Sequence, residues 1–299
     1  MKMKVSLQNW IILGVLALTW GSSFILIKQG LVSFTPYQVG ALRLCFAGGI
    51  LAIWGIPNLI KRIPRNKIPY VALAGFTGNF VPMFLFPIAQ TQVSSSMAGI
   101  LDSLVPLFIL LFGALFFQLK GTKNQILGAI IGFVGAVILI GGDGLTGENS
   151  FWHCMLIVLA TALYGLNSLI LTKYLNEIPS FQLSSSLFTI WLPPAIIILF
   201  LSGFHTTFEG TALQWQSLGF VAILGLIGTA TAMILYYKLI QSTGPMFSSM
   251  VTYLMPIVSV FWGFIVGEKI TWLHIVGFLL ILSGVYLTQK PDKKEIQTT

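Results

Sequence analysis

Asp102 and Arg43 are ionisable groups in otherwise apolar surroundings, so chemistry is sought there first. A charge at membrane depth costs about 3 kcal/mol or more unless it finds a partner or a water-filled cavity. Asp102 shares a small, polar face with Ser95, Gly99 and Pro106 at helical spacing, which lets a partner helix or a ligand approach closely. It can take up and release a proton, or bind a cationic substrate group. Arg43 falls at similar depth. An ion pair or shared pocket with Asp102 is one expectation, and snorkelling or a hold on loop carbonyls is the other. Asn79 and Asn167 are amides midway along apolar runs, suited to bridging helices or touching a substrate. Trp20 and Tyr164 lie too deep for the interfacial belt, which Trp10, Trp152, Trp215 and Trp272 suit. The substrate-binding set is therefore Trp20, Asn79, Asp102, Tyr164, Asn167 and Tyr253. Pro106 and Pro256 each remove a backbone donor inside a helix and favour a kink, static or mobile. With Asp102 and Arg43 they form the coupling or gating set.

Other chemistry finds little support. The three histidines, His153, His205 and His274, are far apart, and no His-Glu-x-x-His occurs. An intramembrane enzyme needs a nucleophile–base set, a metal cluster or paired acids. No catalytic set, metal site or cofactor is expected. A Walker motif is not visible, so ATP hydrolysis is not expected either. Cys45 and Cys154 sit in apolar segments without metal-ligand spacing and are read as inert packing residues. Ser94–Ser96 and Ser184–Ser186 suit helix starts or helix contacts.

The elements that position these residues follow from composition. The chain has 299 residues, 56% hydrophobic and 8% charged. Soluble domains carry about 25% charged residues, and a bilayer span needs about 20 mostly apolar ones. Continuous apolar runs, unlike the alternation of a barrel strand, predict an all-α polytopic membrane protein. About ten helices are expected, each near the length of a span. The first five cover Trp10–Gln29, Pro36–Ile56, Ile68–Gln90, Met97–Leu119 and Gln125–Gly141. The rest cover Trp152–Thr172, Gln182–Ser202, Leu218–Gln241, Pro245–Val266 and Trp272–Thr288. The connections Thr91–Ser96 and Ser242–Pro245 are short enough to hide broken helices, and Gly244-Pro245 reads as a turn and helix start. The apolar run after Lys2 and Lys4 continues past Trp20 with no small-residue cleavage site, so it reads as the first helix and not a signal peptide.

The two halves repeat. Leu104-Val105-Pro106-Leu107 answers to Leu254-Met255-Pro256-Ile257, and Leu127-Gly128 with Gly135 to Val276-Gly277 with Gly284. Residues 1–145 and 146–299 are thus read as two five-helix repeats. An odd number of spans per copy makes them inverted, the layout of a carrier that opens alternately to each side. Charge agrees. With the N-terminus inside, the cytoplasmic side receives Lys2, Lys4, Lys61, Arg62, Arg65, Lys67, Lys120, Lys123, Lys173, Lys238, Lys290, Lys293 and Lys294, and the outside only Lys28 and Lys269. Both termini are then cytoplasmic. The formal net charge of +8 has this topological cause, and no basic stripe suggests nucleic acid.

Trp20-Gly21-Ser22-Ser23-Phe24, Ala41-Leu42-Arg43, Leu104-Val105-Pro106 and Gly267-Glu268-Lys269-Ile270-Thr271 resemble the EamA family of the drug/metabolite transporter superfamily, over nearly the whole chain. The resemblance implies ten helices in two inverted repeats and small-molecule export. It also implies a central cavity lined mainly by helices one, three, four, six, eight and nine, with helices five and ten peripheral and available for a homodimer. One departure stands out. The second copy keeps the family's Gly-Glu-Lys step, whereas Gln118-Leu119-Lys120 puts Leu119 where the acid belongs. Glu268 is therefore expected to cap a helix or pair locally.

The function expected is a secondary transporter of a small organic metabolite, an exporter in a bacterial-type inner membrane, with a lipid flippase or a non-transporting assembly partner as the alternative. The named polar residues suit amino acids, nucleosides, amines or drug-like cations.

Overall fold

A computed structural model describes residues 6–118, 122–146 and 150–288, the side chains of 141–146 excepted. Every regular element among them is helical. Eight helices are long and apolar enough to cross a membrane. They are α1 (Leu7–Leu31), α2 (Pro36–Lys61), α3 (Arg65–Ala89), α4 (Ser95–Phe117), α5 (Lys123–Thr146), α6 (Phe151–Tyr174), α7 (Ser180–Leu201) and α8 (Ala212–Ser248). Two shorter apolar helices follow, α9 (Val251–Ile265) and α10 (Trp272–Thr288). The expected Leu119 substitution lies outside the described residues, as do Lys2, Lys4, Lys120, Glu148, Lys290, Lys293, Lys294 and the side chain of Asp143.

Local chemistry sets the helix ends. The Ser6 side chain caps α1, and Thr35 with Gln38 forms a capping box that starts α2 at Pro36. A second box, Thr211 with Gln214, starts α8 at Ala212, six residues ahead of the sequence expectation. The far end of α8 breaks at Gly244, whose φ of +82° only glycine adopts readily. Pro245–Ser248 makes one more turn before α9 begins at Val251. The ninth expected helix is thus split near its start.

The other expected break sits elsewhere too. Ser94 starts α4 cleanly, and the interruption comes inside it, at Ser103–Leu104, between segments Ser95–Asp102 and Val105–Phe117. Pro106 then falls in the first turn of the second segment, where its missing N–H breaks no ladder. Pro256 lies within α9 and deprives the Thr252 carbonyl of its helical donor. Two further irregularities leave no simple sequence mark. α3 contains a π-helical stretch at Phe76–Phe80, and α8 another at Leu226–Thr231.

Helix pairs close on small residues, as they must where lipid offers no hydrophobic drive for association. α2 lies along α7, with Gly48 against Leu192, Gly55 against Ser185 and Thr189, and Asn58 donating to Ser185 Oγ at 2.9 Å. α5 and α10 form a second long pair, with Gly128 and Gly132 facing Gly284, and Gly135 facing Gly277 and Leu280. In addition α1 packs on α9, α4 on α6 and α9, α6 on α3, and α8 on α1 and α2. The four belt tryptophans are exposed, Cys154 is buried and Cys45 half-buried.

Candidate functional site

The Trp20-Gly21-Ser22-Ser23-Phe24 run is a hub. α1 is interrupted at Ser22, and the run reaches three neighbouring helices. Trp20 Nε1 donates to the Gly228 carbonyl at 2.9 Å, inside the π-helical stretch of α8. Gly21 leaves room for Val258 and Met255 of α9. Ser22 Oγ accepts from Trp262 Nε1 at 2.9 Å, and the Phe24 carbonyl accepts from Gln90 Nε2 at 3.0 Å. Four helices, α1, α3, α8 and α9, are thereby keyed together beside a cavity of about 60 Å³.

The walls of that cavity come from α1 (Trp20, Ser23, Phe24, Ile27), α3 (Gly78, Phe86), α4 (Asp102, Val105), α6 (Tyr164, Asn167), α8 (Met233, Tyr236) and α9 (Thr252, Met255). These are the six helices that the resemblance implies, and α2 adds Arg43. The space admits several waters but no bulky solute. A metabolite-sized solute would fit there only if these helices parted.

Asp102 ends the first segment of α4, is 3% exposed, and its Oδ1 accepts no hydrogen bond. Arg43, 5% exposed, does not snorkel. Its Nε donates to Thr229 Oγ1 at 2.7 Å, and Thr229 in turn donates to the Leu224 carbonyl at 2.8 Å. The anchor is thus a hydroxyl of the α8 π-helical stretch, neither a loop carbonyl nor Asp102. Tyr164 lies within electrostatic range of both charges. Asn167 is 3% exposed, with its Oδ1 likewise unpartnered, and Gly78 leaves the room that the amide occupies.

Of the sequence-derived residues, the structure brings Trp20, Arg43, Asp102, Tyr164 and Asn167 onto one cavity. Asn79 stands one residue behind the wall, where its Nδ2 donates to Tyr237 Oη at 3.0 Å and bridges α3 to α8. Tyr253, Pro106 and Pro256 pack off the cavity wall. Sequence reasoning passed over Tyr236, whose ring packs edge-on to Trp20 at 4.9 Å and whose hydroxyl lies 3.3 Å from Ser168 Oγ. Thr252 faces the cavity opposite Asp102 but spends its hydroxyl on the Ser249 carbonyl at 2.7 Å. Among the described residues, no cluster of three or more histidine, cysteine or acidic side chains is placed to hold a metal.

The model of the EamA-like transporter family matches residues 8–141 and again 151–289. The chain belongs to the EamA-like transporter family. This EamA-like transporter is 28% identical over 283 residues to the uncharacterized inner membrane transporter YedA of Escherichia coli K12, covering 91% of the chain and 90% of YedA. It is 26% identical over 293 residues to a probable terminal-alkyne amino-acid exporter of Streptantibioticus cattleyicolor, covering 96% and 95% of the two chains. A solved crystal structure superposes with a TM-score of 0.66 at 16% identity, over 94% of this chain and 96% of that one, a likeness of fold. The EamA-like transporter is thus a multi-helix membrane transporter, and its cavity is the place to look for substrate.

One prediction arises at the hub. Trp20→Phe keeps a ring against Tyr236 but loses the donor to the Gly228 carbonyl, a bond worth about 1 kcal/mol. Because that bond lies within the protein, its loss is expected to lower stability by about the same amount and to shift melting downward. Thermal melting in detergent checks it, and unchanged melting would show that the hub bond carries no stability.

Proposed function

We propose that this transporter is a secondary carrier that exports a small zwitterionic metabolite, an amino acid with an apolar or aromatic side chain, by alternating access across the cytoplasmic membrane. The observation that carries the reading is the unpartnered Asp102 Oδ1 on the wall of the cavity. A carboxylate at that depth needs a proton or a cationic partner. Asn167 Oδ1 is a second acceptor for an ammonium group. Arg43 spends Nε on Thr229, and the rest of its donor fork suits a substrate carboxylate. Trp20, Tyr164 and Tyr236 offer flat apolar surface for the side chain. The amino-acid exporter named in Streptantibioticus cattleyicolor is in keeping with this class.

Alternating access draws support from the packing. Exchange α1 with α6, α2 with α7, α3 with α8, α4 with α9 and α5 with α10, and the neighbours persist: α1–α9 becomes α6–α4, α1–α8 becomes α6–α3, and α2–α8 becomes α7–α3. Five helices per half then make the halves inverted and ten the number of crossings, with 1–145 and 146–299 as the repeats. The lysine and arginine bias puts both termini in the cytoplasm. A homodimer is proposed through the outward faces of α5 and α10, because their glycine faces are already used on each other.

Counterflow in proteoliposomes tests the function. Saturable exchange is expected for amino acids with apolar or aromatic side chains, and weaker exchange for the corresponding amines and carboxylic acids. No saturable flux for any member of the panel sinks the reading.

A further inference from the structure

Glu268 caps a helix, as expected, but the helix is α4 in the other half of the chain. α9 ends at Gly267 in the left-handed conformation, φ +79°, and the Glu268 N–H turns back to the Gly263 carbonyl at 2.8 Å. That turn sends the carboxylate across to the first turn of α4, in the other half of the chain. Oε1 accepts from the Ser95 N–H at 2.7 Å, and Oε2 accepts from the Ser96 N–H at 2.9 Å and the Ser96 hydroxyl at 2.7 Å. Ser94 already serves the Met97 N–H at 3.1 Å, so Glu268 takes donors that α4 cannot satisfy itself. A negative charge at a helix N-terminus also meets the favourable end of the macrodipole.

The surrounding residues are shaped for this contact. A methyl at Gly263 would run into Ser96 Oγ and the Glu268 carboxylate, and one at Gly99 would run into Ser259 Oγ. α4 and α9 thus approach through two reciprocal small-residue contacts on the same face that leads to Asp102, seven residues or about 10 Å along from Ser95. Lys28 of α1 lies within electrostatic range of Glu268. At the opposite end of the fold, α4 also finishes on a left-handed residue, Gln118 with φ +56°. The residue that follows it in sequence is Leu119, whose side chain has no group to accept a hydrogen bond.

We propose that Glu268 is a one-sided lock. Its carboxylate holds α9 to the N-terminus of α4 while the outer end of the cavity is shut, and releasing it lets that end open. Among the described residues the other end shows no carboxylate that holds a helix N-terminus in this way, so the two gates differ in strength. Glu268 is a positioning residue, acting on the cavity through α4. The inference rests on the alternating-access reading and on the topology that puts Glu268 outside.

The test uses Ser23→Cys, on the cavity wall, in a background lacking Cys45 and Cys154. A membrane-impermeant maleimide is applied to right-side-out and to inverted vesicles. Glu268→Gln removes the charge and replaces one acceptor oxygen by an amide donor facing the N–H of Ser95 or of Ser96, and labelling is expected to quicken at least threefold from the outer face only. Ser96→Ala, which removes one of three bonds, should give a smaller rise of the same sidedness. Equal labelling of parent and both variants from the outer face overturns the lock, as does a rise from the inner face. Counterflow by the parent protein, measured separately, tells failure of the lock from failure of the carrier reading.

Discussion

Asp102→Asn is expected to lower the initial rate of counterflow by tenfold or more, and to flatten whatever dependence on pH remains, while the protein still folds. The substitution keeps shape and an acceptor oxygen. It removes the charge and the capacity to exchange a proton. A hydrogen bond to a charged partner contributes about 1.5–3 kcal/mol, which is roughly tenfold to a hundredfold in affinity. Because Asp102 Oδ1 has no protein partner, no internal bond is lost to blur the result. Flux measured in proteoliposomes on either side of neutrality reads both effects. Unchanged flux and an unchanged pH profile would show that Asp102 neither binds substrate nor carries a proton. Arg43 would not make so clean a test. Its removal breaks the bond to Thr229 and loosens the α2–α8 contact as well as any substrate contact.

Gly284→Ala is expected to destabilise the protein by about 1–3 kcal/mol, the usual cost of overpacking, and to lower its melting temperature in detergent. The added methyl meets the Gly128 carbonyl and the backbone of Gly132, neither of which can swing aside as a side chain does. Gly219→Ala is the control. Nothing lies within 4 Å of the methyl there, and alanine is the better helix former by about 1 kcal/mol, so stability should hold or rise. Equal melting of the two variants would mean that the α5–α10 seam bears no stability, and would count against a rigid pair at the edge of the bundle.

The sequence was most legible where a property belongs to one residue and its near neighbours. Apolar run lengths located the helices, and depth along a run marked Trp20, Tyr164, Asp102 and Arg43, which meet on one cavity. It was silent where the partner is distant. That Arg43 turns to Thr229, 186 positions away, depends on a π-helical stretch that puts the hydroxyl within reach. Glu268 and Ser96 are 172 apart and come together only because α4 and α9 cross halves. Tyr236 carried no mark of its own in the sequence; its place beside Trp20 depends on how α1 and α8 pack. Asn79 shows the reverse limit. Its polarity in an apolar run was plain, but the sequence could not separate the cavity wall from the layer behind it.

The irregular stretches at Phe76–Phe80 and Leu226–Thr231 occupy the third helix of each half. A π-turn holds one residue more than an α-turn, so the two ends of each of these helices are out of phase by roughly 100°. A wheel drawn through all of α3 or α8 at a single period therefore misassigns one end. The slip also gives each helix a spare residue: a single-residue deletion within the stretch can be taken up by tightening the π-turn to an α-turn, leaving both ends facing their present neighbours, whereas the same deletion in a regular helix turns everything beyond it by about 100°.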